Sequence, residues 1–259
     1  MNRRDFFLGA ALSTTGLAFG NDSQKDNPRS FILLETFYAE NKDKRDKLAQ
    51  KFDSELIPLR HEIGFNKVGI FTLHDELMKN EKDASLAKFN SAVFVLQGTD
   101  SADLLLNYQD YSMRKASLFN LVDDLDFIDE EIVAMRAFPS VPEITAPYDN
   151  AERILQLRTY NSPNYDRNAM KEAMFEEGEL DLFKNSGMLP VFFGKTLIGS
   201  MAPNITYMLS FPNNEARVEG WKKFVQSDGW KKMSSDPRYA RTATRIRNLF
   251  LKPTQNSEI

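Results

Sequence analysis

The stretch Ile154-Leu155-Gln156-Leu157-Arg158-Thr159-Tyr160 decides the fold of this chain. Its alternating apolar and polar residues predict a strand with at least one face against a hydrophobic layer. The residues after it predict a helix, two strands, a second helix and a last strand. These elements span residues 165–185, 191–193, 206–209, 215–225 and 245–251. A β-α-β-β-α-β order indicates an antiparallel ferredoxin-like sheet with both helices on one face.

Residues 31–138 show the same order in a looser form, with strands predicted at 31–38, 68–71, 92–96 and 132–136 and a helix predicted at 101–119. Gly64 and Gly187 align the two halves without a gap. Tyr38 stands 26 residues before its glycine and Tyr160 stands 27 before its own, which indicates an internal repeat. Each sheet would leave one face bare, so we expect the two sheets to cover each other. The predicted fold class is α+β, two ferredoxin-like halves packed sheet to sheet as a pseudo-dimeric α+β barrel.

The first residues have the form of an export signal. Arg3 and Arg4 precede a segment rich in Gly, Ala and Thr, and small residues at Ala18 and Gly20 predict cleavage after residue 20. The run Arg3-Arg4-x-Phe6 resembles a bacterial twin-arginine signal, which implies transport of the folded protein to the periplasm. The segment is too short and polar for a membrane span, which needs about 20 apolar residues. No stable membrane span is expected after cleavage.

These patterns divide the chain into six segments. They are an export signal at 1–20, a linker at 21–30, a degenerate ferredoxin-like half at 31–138, a Pro-rich linker at 139–150, a second half at 151–252 and a tail at 253–259.

Composition excludes several classes of function. The 259 residues contain no cysteine and only two histidines, so thiolate chemistry and histidine-rich metal clusters are excluded. The net charge of −4 argues against nucleic acid as a partner. No phosphate-binding loop, dinucleotide fingerprint, nucleophile elbow or zinc-protease motif occurs. No metal or cofactor is therefore assigned.

The second half resembles the NIPSNAP family. The resemblance rests on Leu157-Arg158-Thr159-Tyr160, on Phe183 to Gly187, on Ile198-Gly199, and on the spaced set Arg217, Trp221, Phe224, Asp228 and Trp230. The first half keeps Tyr38 and Gly64 but has Thr36 where the second half has Arg158. The resemblance implies a tandem or dimeric ferredoxin-like barrel, in a family with a poorly defined biochemical role. Wider relatives of this barrel include cofactor-free monooxygenases, haem-binding decomposers of oxyanions and plain binding proteins, and the fold does not select among them.

Strand alternation nominates the candidate ligand residues. Leu155, Leu157 and Thr159 would face the helices, while Gln156, Arg158 and Tyr160 would face the barrel interior. There Arg158 could bind an anionic ligand, Tyr160 could hydrogen-bond it, and Arg245 or Arg247 could converge on it. The alternative is a structural ion pair between Arg158 and an acid, or a position on the solvent-exposed rim.

Other conspicuous residues have a structural interpretation. His61 and His74 stand in polar contexts, where surface positions are expected; a haem ligand would need one of them to face inward. Trp221, Phe224 and Trp230 follow helical spacing and predict packing against the sheet. The acidic run from Asp123 to Glu131 is interpreted as a solvated loop, and Asp228 as the cap of a short helix.

Two classes of function follow from these patterns. The first is an exported NIPSNAP-type protein that binds a small ligand or a protein partner, for which we expect a barrel packed with side chains. The second is a cofactor-free, monooxygenase-like enzyme, for which we expect a hollow barrel mouth. A haem-binding barrel is a third and weaker alternative.

Overall fold

The computed structural model describes residues 28–79, 82–115 and 127–259. The predicted export signal and most of the first linker lie outside the described residues. The strands are β1 Phe31–Ala39, β2 Lys67–Leu73, β3 Ala92–Thr99, β4 Phe127–Ala137, β5 Ile154–Asn161, β6 Leu189–Ile198, β7 Asn204–Phe211 and β8 Arg245–Pro253. The α-helices are α1 Lys42–Lys51, α2 Ile57–Ile63, α3 Asp75–Met78, α4 Ala102–Leu106, α5 Tyr108–Lys115, α6 Tyr165–Met174, α7 Leu180–Asn185, α8 Asn214–Gln226 and α9 Asp228–Ser234.

The eight strands form one closed antiparallel barrel in the order β1-β3-β2-β8-β5-β7-β6-β4. Each half contributes four neighbouring strands, and two seams join the halves. At one seam Leu73 of β2 pairs with Leu251 of β8, and at the other Arg136 of β4 pairs with Lys195 of β6. The predicted fold class, two ferredoxin-like sheets closed into a pseudo-dimeric α+β barrel, is confirmed.

The two halves place equivalent turns at a constant distance along the chain. Asn41 and Asn164 cap α1 and α6 with their side chains, each accepting from a backbone N–H three residues on. A π-helical turn follows each helix, Phe52–Leu56 in the first half and Phe175–Glu179 in the second. Each helix pair then ends at a left-handed glycine, Gly64 with φ 109° and Gly187 with φ 78°. The offset between the two sets is 123 residues throughout.

The pairing register corrects one detail of the sequence alignment. Glu35 lies opposite Val95, and Arg158 lies opposite Tyr207 at the same place in the second sheet. Glu35, and not Thr36, therefore occupies the position of Arg158. The alignment of Tyr38 with Tyr160 was wrong by one residue. With the offset of 123 residues, Tyr38 corresponds to Asn161 and Tyr160 corresponds to Phe37.

The barrel interior is a single hydrophobic core that both halves build. Side chains of all eight strands meet there, among them Ile32, Leu34, Phe71, Leu73, Phe94, Leu96, Met135, Leu155, Leu157, Phe192, Met208, Leu249 and Leu251. Two further clusters lie outside the barrel, each between one half's sheet and its own helices. The interior is thus shared, while each outer layer belongs to one half.

One end of the barrel is closed by apolar side chains. The Cδ1 atom of Ile259 lies 2.8 Å from where a Cβ on Gly69 would be, and that of Ile144 lies 3.1 Å from the same point on Gly98. Glycine at both positions leaves room for these two plugs. The segment 253–259 is therefore not a loose tail, since Ile259 is 1% exposed and its carbonyl accepts a hydrogen bond from Arg153.

Three further sequence predictions were wrong in part. The acidic run is not a loop in its described portion, because β4 begins at Phe127 and includes Glu130 and Glu131. Ser227, and not Asp228, caps α9 by accepting from the backbone N–H of Trp230. The predicted helix at 101–119 is two helices, α4 and α5, up to residue 115, and its last residues lie outside the described part of the chain.

Candidate functional site at the polar end of the barrel

The faces of β5 are the reverse of the predicted ones. Leu155 and Leu157 belong to the barrel core, whereas Ile154 and Tyr160 belong to the outer layer under the helices of the second half. The prediction that Gln156, Arg158 and Tyr160 look into the barrel is therefore wrong. The alternation of the stretch gave the two faces correctly but could not tell which face the helices cover.

The three predicted residues lie in the helix–sheet layer. The hydroxyl of Tyr160 accepts from that of Tyr207 at 2.9 Å. Gln156 accepts from the indole N–H of Trp221 at 2.6 Å. The Cζ atom of Arg158 lies 4.5 Å from the ring centroid of Trp221, and no acid lies within ion-pair distance of it in the described residues. Whether these residues bind a ligand stays a prediction.

A different set of polar side chains lies at the open end of the barrel, opposite Ile144 and Ile259. We call it the polar mouth and define it by Tyr38, Lys88, Glu131, Asn161 and Arg247. Tyr38 and Glu131 stand on β1 and β4, Asn161 and Arg247 on β5 and β8, and Lys88 comes from the 3-10 segment Ala84–Ser91. Strands of both halves therefore position it.

Glu131 organises one wall of the polar mouth. Its carboxylate accepts from the hydroxyl of Tyr38 at 2.9 Å and from that of Ser200, and Lys88 Nζ lies 3.5 Å away. Burial would raise the pKa of Glu131, but these hydrogen bonds and the lysine outweigh it and hold the pKa below its usual range. Burial and the same hydrogen bond raise the pKa of Tyr38 far above its usual value.

Arg247 forms the opposite wall. Its guanidinium donates to Thr159 Oγ1 at 3.3 Å and lies 5.0 Å from the ring centroid of Phe89. No acid of the described residues pairs with it, and its buried Nε has no hydrogen-bond partner. Burial lowers the pKa of Arg247, although Glu131 acts through space in the opposite direction. A half-buried cation is thus held without a direct counter-charge.

Asn161 completes the polar mouth with an unpaired acceptor. Its amide nitrogen donates to the Met201 carbonyl at 2.7 Å, and the Arg247 guanidinium approaches the sulfur of the same methionine at 3.9 Å. The Oδ1 atom of Asn161 is buried and finds no hydrogen-bond partner in the part of the chain that the structure describes. Arg247, with its unpaired Nε donor, and Asn161, with its unpaired Oδ1 acceptor, therefore both contact Met201.

Arg245 and the two histidines lie elsewhere. Arg245 is exposed on the rim of the barrel, where it donates to Ser85 Oγ at 2.6 Å. His61 is on the outer surface between the Phe65 carbonyl and Glu258, so it cannot face a haem inside the barrel. His74 follows β2 directly and donates its backbone N–H to the carbonyl of Phe250.

The described residues include no group of three His, Asp or Glu side chains that could hold a metal ion. Within the same residues, no helix is both long and apolar enough to cross a membrane. Below the polar mouth the barrel is filled by the shared apolar core. The arrangement can therefore bind a small polar group at the mouth, above a closed hydrophobic floor.

Sequence reasoning missed most of the polar mouth. Arg247 was considered, but Tyr38, Lys88, Glu131 and Asn161 were not. A signal for Glu131 was available, since it continues the alternation of Val133 and Met135, both of which face the core. Because Asp129 and Glu130 beside it are also acidic, the alternation of inward and outward residues was not evident at Glu131.

An eight-stranded barrel of two ferredoxin-like halves defines the class of dimeric α+β barrel proteins. Residues 155–258 match the model of the NIPSNAP family, which confirms the resemblance of the second half and extends it into segment 253–259. No curated protein matches the sequence.

Two solved structures illustrate the shared fold across most of the chain. A "Putative monooxygenase" from Fusobacterium nucleatum superposes with a TM-score of 0.60 at 8% identity, covering 87% of this chain and 92% of that one. A "putative monooxygenase" from Lactobacillus acidophilus gives 0.56 at 9% identity, covering 89% and 98%. A NIPSNAP-like domain protein from Burkholderia xenovorans gives 0.36 at 17% identity, covering 41% and 89%.

Proposed function

We propose that the protein is a NIPSNAP-type binding protein that takes a small carboxylate at the polar mouth of its barrel. The observation that carries this proposal is the half-buried guanidinium of Arg247, which has no paired acid and no partner for its buried Nε among residues 28–79, 82–115 and 127–259. A cation removed from water needs a counter-charge, and a carboxylate supplies both charge and two acceptors. A carboxylic ligand with a hydroxyl or amide group would also satisfy Asn161 Oδ1.

The ionisable groups of the polar mouth favour binding over acid–base chemistry. A general acid or base works best when its pKa lies near the working pH. The pKa of Glu131 is lowered and that of Tyr38 is raised, so both shifts point away from neutrality. These two groups hold fixed protonation states and orient a ligand.

The test is a calorimetric titration of the full chain with a panel of small carboxylates, amides of the same shape serving as uncharged controls. We expect a carboxylate to bind and the matching amide to bind far more weakly. Arg247→Gln should weaken binding about tenfold or more, as expected for a lost charge-assisted hydrogen bond. Arg245→Gln is the matched control on the same strand and face, and should retain most of the affinity. Equal binding by Arg247→Gln and wild type would refute the proposal.

A second candidate function is cofactor-free oxidation of a small molecule. It is favoured by the whole-chain likeness to two structures described as monooxygenases, and by the aromatic rings of Tyr38, Phe89 and Phe94 beside the polar mouth. Such rings could hold an electron-rich aromatic substrate. Oxygen uptake with a panel of phenols would test it; no uptake above that of Arg247→Gln would argue against it.

A protein partner, the remaining alternative, would show as an interaction that survives Arg247→Gln.

We also propose that the protein acts in the periplasm and that its halves arose as repeats. The twin-arginine-like start supports export, and the constant offset of 123 residues supports repetition. Replacing Arg3 and Arg4 by lysine should retain the protein in the cytoplasm of a bacterial host, measured by cell fractionation. Unchanged periplasmic recovery would contradict the export proposal.

A further inference from the structure

The residues that carry the NIPSNAP resemblance come together outside the barrel. Arg217 and Trp221 of α8 stand over the outer face of β5 and β8. Arg158 Cζ lies 4.5 Å from the ring centroid of Trp221, and Arg217 Cζ lies 4.6 Å from that of Phe250. Two strand amides complete the group that we call the arginine–tryptophan site, which comprises Gln156, Arg158, Arg217, Trp221, Asn248 and Phe250.

A chain of hydrogen bonds fixes the centre of this site. The indole N–H of Trp221 donates to Gln156 Oε1 at 2.6 Å, and Gln156 Nε2 donates to Asn248 Oδ1 at 2.6 Å. Both ends of the Gln156 amide are thereby used, and Gln156 itself is 2% exposed. The tryptophan ring is thereby fixed against β5 beside Arg158, so the site is preorganised.

Neither arginine has a carboxylate partner among the described residues. Glu179, the acid that acts on Arg158 through space, is held by Lys171 at 2.6 Å. The buried Nε of Arg158 likewise has no hydrogen-bond partner within those residues. Arg217 donates its Nε to the uncharged Asn214 at 2.9 Å, and burial lowers its pKa. Each cation therefore stacks on its own aromatic ring, Arg158 on Trp221 and Arg217 on Phe250, and neither is neutralised by a carboxylate of the described residues.

The site reaches solvent. Arg158, Arg217, Trp221, Asn248 and Phe250 are all half-buried, neither sealed in the core nor fully exposed. Two exposed apolar side chains stand nearby in sequence, Val218 at 52% and Ile246 at 49%. Solvent therefore reaches both cations, and exposed apolar side chains stand close to Arg217 and Asn248 along the chain.

We propose that the arginine–tryptophan site binds the oxyanion group of a small molecule that carries an aromatic or aliphatic body. An oxyanion supplies the missing counter-charge for Arg158 and Arg217, and charge-assisted hydrogen bonds to guanidinium groups are strong. The body of the ligand would lie against Val218 and Ile246. This site is on the outer face of the second half, distinct from the polar mouth, and does not depend on the function proposed there.

The test uses the tryptophan fluorescence of the full chain. Trp221 and Trp230 are the two tryptophans of the sequence, so Trp230→Phe leaves Trp221 as the sole reporter. Benzoate and inorganic phosphate are the two probes, titrated at constant ionic strength against chloride. We expect a saturable change with benzoate, and with phosphate if the oxyanion alone is sufficient. Arg217→Gln in the same background should weaken binding about tenfold or more, and Arg217→Lys should restore part of it.

Two control variants show whether the fluorescence change belongs to this site. Arg238→Gln changes an exposed arginine that is already paired with Asp236, and should leave the titration unchanged. Arg247→Gln removes the polar mouth and should also leave it unchanged, so failure of one site does not imply failure of the other. A change that does not saturate, or one of equal affinity in Arg217→Gln, would overturn the proposal.

Discussion

The second half contains a buried ion pair, Lys171–Glu179, and we predict that the stability lost on removing either partner changes with pH in opposite directions. Lys171 and Glu179 are 4% and 1% exposed and lie 2.6 Å apart. At the equivalent places, 123 residues earlier, the first half has the buried Leu48 and Leu56. One sheet therefore packs on an ion pair where the other packs on two leucines.

The cost of breaking the pair can be worked from reference pKa values. In Lys171→Leu, a buried Glu179 can take up a proton, which limits the cost at pH 7 to about 3.7 kcal/mol. In Glu179→Leu, Lys171 can lose its proton, which limits the cost to about 4.6 kcal/mol. Because Arg158 also attracts Glu179 through space, the first variant should lie below its limit.

The two limits change with pH in opposite directions. Burial raises the pKa of Glu179, so the folded Lys171→Leu variant binds the extra proton and its deficit shrinks as pH falls, by about 1.4 kcal/mol per unit. Burial lowers the pKa of Lys171, so the deficit of Glu179→Leu shrinks as pH rises. The double variant Lys171→Leu/Glu179→Leu restores the arrangement of the first half and should equal or exceed the wild type in stability.

Urea unfolding at about pH 5, 7 and 9, followed by circular dichroism, measures all three variants. The control pair is Lys195–Glu172, at 2.8 Å but with 34% and 23% of the side chains exposed; its single variants should cost about 1 kcal/mol or less. Equal pH slopes in Lys171→Leu and Glu179→Leu, or a double variant as unstable as the sum of the two, would refute the reasoning.

Three further predictions concern His61, residues 257–259 and Gly187. Glu258 helps to raise the pKa of His61 against its partial burial, so this pair stabilises the fold below the unfolded pKa of about 6.5. That stability is lost as pH rises through the raised folded pKa, and His61→Ala should remove this dependence from melting curves. Deleting residues 257–259 should cost at least the burial of one isoleucine, about 1.5–3 kcal/mol by urea unfolding; a loss below 1 kcal/mol would contradict the packing. Gly187→Ala, at φ 78°, should cost about 1 kcal/mol, whereas no loss would mean that the helix end adjusts.

The architecture could be predicted because it depends on short-range patterns. Apolar alternation located the strands around Phe94, Leu157 and Met208, and the glycines at 64 and 187 marked two helix ends. Packing two bare sheet faces against each other then follows from burial alone. The order of the elements was therefore sufficient to imply the barrel.

The site could not be predicted, because it depends on the phase of the strands. Both faces of β5 carry apolar residues, so Arg158 on one face and Thr159 on the other were equally plausible inside the barrel. The first position turned out to lie under Trp221, which is contributed by a helix more than 60 residues later. The polar mouth in turn combines Glu131 and Arg247 from different halves, a neighbourhood that only barrel closure creates.

The shared interior has a consequence for how the molecule is assembled. Each half presents a complete apolar sheet face, so a half separated from the other would be an adhesive, aggregation-prone surface. The segment 139–150 holds the two faces on one chain and thereby turns an encounter between molecules into a closure within one. Its backbone also pairs with the barrel wall, since Thr145 donates its N–H to the Val191 carbonyl at 2.8 Å. Severing this tether should make folding depend on concentration, because two separate fragments would then have to meet before their sheets could cover each other.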